Sequence, residues 1–114
     1  MTRYIFDGFA VDTDRHEVIG PDGSRSFEPQ VFDVIRHLLE ADGRLVAKND
    51  LLDAVWGHRF VTESAMTTQI KNARRLLDDN GQAQRTIRTV RGRGYQFVAD
   101  VAIEPGATDW RSSN

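Results

Sequence analysis

The residue pattern near the start of the chain predicts short strands. Three runs rich in β-branched and aromatic residues, Tyr4–Phe6, Phe9–Val11 and Glu17–Ile19, are each followed by Asp, Gly or Pro residues that favour turns. A fourth run, Arg25–Phe27, follows them. Four short strands at this spacing indicate an antiparallel sheet with one face available for packing.

From Pro29 onward the apolar residues recur with a helical period. Pro suits the first position of a helix, because its missing N–H group would have no partner there. Apolar residues spaced three and four apart between Val31 and Leu39 predict an amphipathic helix. Leu45-Val46 is predicted as a short extended link, and the apolar positions from Leu51 to Trp56 predict a second helix that stops at Gly57.

A third helix is predicted to begin near Thr62, a favourable N-cap residue that is followed by an acidic residue in the first turn. Four apolar residues then lie within about 60° of one another around the helix axis, and they are Met66, Ile70, Ala73 and Leu77. The opposite face is polar or basic, with no acidic residue before Asp78; it holds Ser64, Thr67, Thr68, Lys71, Asn72 and Arg75, with Arg74 on its flank.

The last regular elements predicted are two strands joined by a basic turn. Thr86–Val90 and Tyr95–Val98 have strand-like composition, and Arg91-Gly92-Arg93-Gly94 connects them. Glycine allows the positive φ angles of a tight hairpin, and both other positions of the turn are arginine. We expect one domain over residues 1–103 and a flexible tail or linker stub over residues 104–114.

The local charge of the C-terminal half differs in sign from the net charge of the whole chain. The 114 residues have a formal net charge of −2 and a pI of about 5.9, which alone would argue against a nucleic-acid ligand. Residues 64–98, however, contain seven Lys or Arg and only two Asp or Glu, whereas residues 1–63 contain seven and twelve. A polyanion responds to the local field, so the question is whether those cations share one face.

Composition also excludes several kinds of site. The chain has no cysteine, which excludes disulfides, thiolate zinc sites and a cysteine nucleophile, and fits a reducing, cytoplasmic location. His16, His37 and His58 are far apart and lack carboxylates at ligand spacing, so we expect no metal site, no cofactor and no enzymatic activity. The richest apolar stretch, Val31–Leu39, is much shorter than the roughly 20 residues of a spanning helix, so no membrane contact is expected.

The order of strands, three helices and a basic hairpin is that of a winged helix. Four segments, Phe27–Ile35, Gly43–Val46, Leu51–Trp56 and Ile87–Phe97, resemble the OmpR/PhoB-type winged-helix DNA-binding domain, whose wing has a T-V-R-G-x-G-Y-x-F run. The resemblance extends over roughly residues 3–101. It implies an α+β winged helix-turn-helix, with an N-terminal four-stranded antiparallel sheet, three helices and a C-terminal β-hairpin wing.

The resemblance further implies sequence-specific binding of double-stranded DNA by a transcription regulator. The recognition helix, about residues 62–77, would enter the major groove, and the wing, about residues 86–98, would reach the minor groove. By position, the base readers are Thr68 and Asn72, with Ser64 and Gln69 at the margin and Thr67 on the same face. The backbone contacts are Lys71, Arg74, Arg75, Thr89 and Tyr95, with Arg91 as the minor-groove arginine and Arg93 as an additional charge.

Some positions depart from the family, and one alternative function stays open. Several members have arginine at the positions of Ser64 and Asn72, so the base preference does not transfer. Ala47 occupies a position where a capping serine is common, which predicts a helix start weaker by ~1 kcal/mol. The expected partners are a promoter or operator, a second copy in tandem on a direct repeat, and RNA polymerase. The alternative is a protein-interaction module that docks on RNA polymerase or another regulator.

Two further expectations follow from the resemblance. Phosphorylation-controlled members have a receiver domain before this module, which here begins at residue 3, so the chain is either complete or the N-terminal piece of a protein whose sensor follows Ile103. The helix face around Lys71 and the loop around Gly92 should form one continuous cationic surface, which we call the cationic ridge. The DNA-binding hypothesis requires that neither patch is buried.

Overall fold

The computed structural model describes residues 2–57 and 61–105, which form two compact units. The sheet unit consists of the described residues up to Ser26 and from Ala99, and the helical unit of those in Phe27–Val98. Within the described ranges there are eight strands and three helices: β1 (Thr2–Phe6), β2 (Phe9–Asp12), β3 (Glu17–Gly20), β4 (Gly23–Arg25), α1 (Pro29–Glu40), β5 (Val46–Ala47), α2 (Lys48–Trp56), α3 (Glu63–Leu76), β6 (Ile87–Val90), β7 (Gly94–Phe97) and β8 (Ala102–Pro105).

The sheet unit is an antiparallel sheet in the order β4-β3-β2-β1-β8. Three of the predicted strands lie where they are expected, and the fourth is displaced: β4 is Gly23–Arg25, which shares only Arg25 with the predicted run Arg25–Phe27. The fifth strand, β8, was not predicted; it pairs with β1 so that Ile103 lies opposite Tyr4, and it extends two residues past the expected boundary at 103. The remainder of the expected tail, residues 106–114, and His58 lie outside the described residues.

Side chains in the first strands alternate between the inside and the outside of the sheet unit. Tyr4 and Phe6 are buried on β1, whereas Ile5 between them is partly exposed. Phe9 and Val11 continue the alternation on β2, and the rings of Phe6 and Phe9 stack with their centroids 6.0 Å apart. This period of two is the strand pattern that the sequence predicts.

The helical unit confirms the three predicted helices. The residues of α1 that are buried match its apolar period and are Val31, Phe32, Val34, Ile35, Leu38 and Leu39. The predicted stripe of α3 is at most 1% exposed at each position, from Met66 to Leu77. Thr62 caps α3 as predicted, with its Oγ1 accepting from the Ala65 N–H at 3.2 Å. Trp56 is buried at the end of α2, where Gly57 takes a φ of +65°.

The wing is part of a three-stranded sheet in the order β5-β7-β6, and it is larger than the predicted hairpin. The link predicted around Leu45-Val46 becomes β5, which pairs with β7 through Val46 opposite Tyr95 and Ala47 opposite Gly94. A Cβ atom on Gly94 would lie 2.0 Å from the Val46 carbonyl oxygen. Glycine is therefore required at this position because the backbone of β5 approaches so closely.

The start of α2 lacks a side-chain cap at Ala47, as predicted. The N–H group of Lys48, the first residue of the helix, donates to the carbonyl oxygen of Arg93 at 3.3 Å, so the wing turn satisfies one of the N–H groups that a helix start leaves without a partner in the helix. In the described residues no helix has the length and apolarity needed to span a membrane.

Replacement of Gly94 by alanine should detach β5 from the wing. We expect Gly94→Ala to lower the free energy of unfolding by about 1–3 kcal/mol, the range for overpacked sites, because the Val46 carbonyl must move. Gly92→Ala is the matched control; it has a φ of +74° but open space around it, so it should cost only about 1 kcal/mol, measured by chemical denaturation. A smaller loss for Gly94→Ala than for Gly92→Ala would contradict this explanation.

Candidate nucleic-acid interface

One face of α3 is polar and accessible along most of its length. Its exposed members are Ser64, Thr67, Thr68, Lys71 and Arg75, and its half-buried members are Gln69 and Asn72. The face thus combines side chains that can pair with base edges with two cations that can meet phosphates.

Two residues of this face also have contacts within the helical unit. The Thr67 hydroxyl donates to the Glu63 carbonyl oxygen at 3.0 Å, which leaves its methyl group and the lone pairs of its oxygen for other contacts. The Gln69 Nε2 donates to Oε1 of Gln30 on α1 at 3.4 Å. Gln69 is therefore held toward α1, whereas the side chains of Thr68 and Asn72 make no such hydrogen bond to another helix in the described part of the chain.

Arg74 does not belong to the exposed face. It is only 8% exposed; its Nε donates to the carbonyl oxygen of Ile87 at 3.0 Å, and its Nη2 donates to the Thr89 hydroxyl at 2.7 Å. Burial lowers the pKa of this guanidinium, and the nearby Asp79 and Tyr95 act in the opposite direction. The helical wheel places Arg74 on the flank of the polar face, and the structure turns that flank toward the wing.

The tip of the wing is cationic and accessible. Arg91 and Arg93 are exposed on either side of Gly92, and the turn is closed by the Arg93 N–H donating to the Val90 carbonyl oxygen at 2.9 Å. Behind the tip, Thr89 is exposed. Tyr95, opposite Thr89 in the hairpin, is only 5% exposed, so its ring is packed and little of its surface remains for the backbone contact that the resemblance implies.

Hydrogen bonds connect the wing to α3 at two places. Near the C-terminal end of the helix, Arg74 contacts Thr89. At the N-terminal end, Lys48 bridges the two elements: its N–H donates to Arg93, and its Nζ donates to Oε1 of Glu63 at 2.7 Å. Positions 63 and 74 are about 16 Å apart along a helix. The wing therefore runs beside α3, and the two patches of the cationic ridge, both accessible, are on adjoining elements.

The Lys48–Glu63 pair was not anticipated from the sequence. The hydrogen bond from Lys48 lowers the pKa of the Glu63 carboxyl, and the same contact raises the pKa of the Lys48 ammonium. The ion pair places a cation from α2 beside the only acidic residue of α3, which lies in the first turn of that helix. No local sequence signal indicates this contact, because the partners are fifteen positions apart on different helices.

Asp79 organises the loop between α3 and the wing. One carboxylate oxygen accepts from the N–H groups of Asn80 and Arg85, and the other accepts from the N–H and hydroxyl of Thr86, all at 2.8–2.9 Å. Burial favours the neutral form of this carboxyl, but hydrogen bonds from Arg85, Thr86 and Asn80 outweigh burial and lower the pKa of Asp79 to about 2. The sequence indicates only that a helix ends here.

Side chains also satisfy the outer edge of the wing. β6 is the last strand of its sheet, and its backbone groups on the open side need other partners. The Ile87 N–H donates to Asp79 at 3.4 Å, the Ile87 carbonyl accepts from Arg74, and the Thr89 N–H donates to Oε1 of Gln84 at 3.0 Å. Arg74 and Asp79 therefore join the edge strand to the helix and its loop.

In residues 2–57 and 61–105, no three His, Asp or Glu side chains are grouped so that they could hold a metal ion. The chemistry that the accessible residues offer is recognition of an anion and of hydrogen-bonding edges.

Comparison with known proteins gives a consistent match. Residues 23–97 match the family described as "Transcriptional regulatory protein, C terminal". The transcriptional regulator HilA of Salmonella typhi is 35% identical over 101 residues, which are 89% of this chain and 18% of that protein. The phosphate regulon regulatory protein PhoB of Klebsiella pneumoniae is 29% identical over 93 residues, 81% of this chain and 40% of that protein. The chain thus spans less than half the length of these relatives.

Two solved structures have the same fold. The Thermotoga maritima response regulator DrrB, an OmpR/PhoB homologue, superposes with a TM-score of 0.76 at 26% identity, over 84% of this chain and 44% of that chain. The DNA-binding domain of Klebsiella pneumoniae RstA, solved in complex with the RstA box, gives a TM-score of 0.75 at 23% identity, over 84% of this chain and 96% of that chain.

The Asp79 carboxylate should make stability depend on acid pH. Because its pKa is 3.8 in an ordinary setting and about 2 in the folded chain, its contribution of roughly 2 kcal/mol is present above pH 4 and is lost as the pH falls toward 2. Asp79→Asn should remove about that much free energy of unfolding at pH 7 and flatten the decline between pH 4 and pH 2. The measurement is urea denaturation across this range.

The exposed residue Asp53 of α2 provides the control. Asp53→Asn should change stability at pH 7 by less than about 0.5 kcal/mol, because surface substitutions usually do. If the free energy of unfolding of the Asp79→Asn variant fell between pH 4 and pH 2 as steeply as that of the wild type, the Asp79 carboxylate would not be the group that titrates.

Proposed function

The chain belongs to the family of OmpR/PhoB-type winged-helix DNA-binding domains of transcription regulators, and from that premise we propose that it binds a specific double-stranded DNA sequence with α3 in the major groove and the wing at the adjacent minor groove. The observation that supports this proposal is the connection of two accessible cationic elements side by side. Lys71 and Arg75 are exposed on α3, and Arg91 and Arg93 are exposed at the wing tip.

A helix and an arginine-tipped turn are elements that the two grooves of a duplex can receive. The major groove of B-DNA admits an α-helix, and its base pairs present distinct patterns of donors and acceptors to side chains such as Asn and Thr. The minor groove is narrow, and narrow A·T tracts attract arginine. We therefore assign base reading to Thr68 and Asn72, with Ser64, Thr67 and Gln69 beside them, and minor-groove contact to Arg91.

Phosphate contacts would supply most of the affinity and fix the register on the duplex. We assign them to Lys71, Arg75, Arg93 and the Thr89 hydroxyl, all of which are exposed. Tyr95 contributes mainly a packed ring, and Arg74 is removed from this group because it is buried and directs two of its donors to the wing.

One domain of this size reads a short site. Useful specificity would come from two copies in tandem on a direct repeat, and the bound domain would act on transcription by presenting its other surfaces to RNA polymerase.

Binding should be salt-dependent to a degree set by the number of phosphates contacted. With about four neutralised phosphates, the slope of log K against log[salt] should be roughly −4. Selection of bound duplexes from a random pool, followed by titration at several salt concentrations, measures the site, the half-site spacing and this slope. A folded domain that binds no duplex at low salt would favour the protein-interaction alternative.

Removal of the wing-tip arginine should alter both affinity and preference. Arg91→Ala is expected to weaken binding about tenfold and to reduce the preference for A·T pairs at the wing position, without altering the preference at the positions read by α3. Arg88→Ala is the matched control, since Arg88 is an exposed arginine of β6 whose strand position faces away from Thr89. Equal effects of the two substitutions would refute the role of Arg91.

A further inference from the structure

We propose that Arg74 is a positioning residue for DNA binding: it holds the wing against α3 and orients the Thr89 hydroxyl toward a phosphate, and it does not contact DNA itself. The inference rests on the proposed function and deepens it. The charge of Arg74 on the recognition helix suggests a phosphate contact, whereas its proposed role is to hold the wing.

The guanidinium of Arg74 is buried, and two of its donors have partners on the wing. Arg74 is only 8% exposed, its Nε–H is used by the Ile87 carbonyl at 3.0 Å, and its Nη2 is used by Thr89 at 2.7 Å. The guanidinium group is a rigid planar fork, so both contacts hold it in one orientation. Because so little of Arg74 is exposed, a phosphate contact would require the side chain to swing outward, which would leave the Ile87 carbonyl without its side-chain partner at the edge of the wing sheet.

The buried charge of Arg74 is compensated within the fold. Burial alone disfavours the cation, while the Asp79 carboxylate close by favours it, and Asp79 is itself fixed by the loop N–H groups. A buried charge with hydrogen-bonded partners is typical of a structural link.

The hydroxyl hydrogen of Thr89 is not used in its contact with Arg74. A hydroxyl group has one donor, and here its oxygen accepts from Arg74, so its own proton must point elsewhere. The Thr89 N–H is already used by Gln84 at 3.0 Å. Because the Thr89 side chain is exposed and the neighbouring cation polarises its O–H bond, the hydroxyl is prepared to donate to an incoming phosphate oxygen.

A salt titration separates this role from direct phosphate binding. Arg74→Met keeps an unbranched stem and removes every donor; we expect it to weaken binding about tenfold, as for loss of one charge-assisted hydrogen bond, with the slope of log K against log[salt] unchanged. Lys71→Gln is the control for a direct contact, and it should make the slope shallower by about 0.9. A change of about 0.9 for Arg74→Met would overturn the proposal.

A double-mutant cycle tests the coupling to Thr89. Thr89→Val alone should weaken binding, whereas Thr89→Ser, which retains the hydroxyl, should bind within about twofold of the wild type. In the Arg74→Met background, Thr89→Val should have little additional effect, because the hydroxyl is no longer oriented. Additive losses of the two single substitutions would also overturn the proposal.

Arg74→Lys covers the case in which Arg74→Met does not fold. A lysine keeps the charge but offers a single ammonium, which cannot reproduce the fork to Ile87 and Thr89. We expect its affinity to stay several-fold below the wild type at every salt concentration, whereas retention of full affinity would indicate a simple charge contact. Failure of the wild-type domain to bind duplex would instead reject the proposed function. The variants of Arg74, Thr89 and Lys71 would then show no differences in binding.

Discussion

The guanidinium of Arg74 between α3 and the wing is the contact on which the rest of the interface depends. A helix and a hairpin that must fit two neighbouring grooves need a fixed separation, and here that separation is set by hydrogen bonds to Ile87 and Thr89 at one end and through Lys48 at the other. The buried cation at one end is Arg74 and the half-buried cation at the other is Lys48, so the exposed cations of the ridge remain available for a ligand.

The distribution of charge explains how an acidic chain can offer a cationic surface. The net charge of −2 includes carboxylates that lie close to the ridge in sequence, yet two of these have partners within the fold. Glu63 is paired with Lys48, and Asp79 is surrounded by donors of its own loop. Because the electrostatic field near the ridge comes from unpaired charges, the average charge of the chain says little about its ligand.

The sequence allows the helices to be predicted well, because their signals are local. The period of α3 identifies its buried stripe, and Thr62 identifies its first turn. β5 is predicted only as an extended link, since a two-residue strand has no period. β8 is not predicted, because its pairing with β1 joins the two ends of the described chain.

The candidate site could be predicted only in outline. The polar face of α3 and the basic turn follow from residue type and spacing. The inward orientation of Arg74 depends on where the wing approaches the helix, and the partners of Lys48 and Asp79 depend on how the elements meet, which no local pattern encodes.

The side chains along the open side of β6 also limit how other proteins can use this domain. Exposed strand edges commonly serve as templates on which a peptide from another chain adds itself as a further strand. At Ile87 and Thr89 such a peptide would have to displace Asp79, Arg74 and Gln84 from the groups they occupy. Recruitment by β-augmentation at this edge would therefore disassemble the link between wing and helix, so it is incompatible with the arrangement of the two elements that the structure shows.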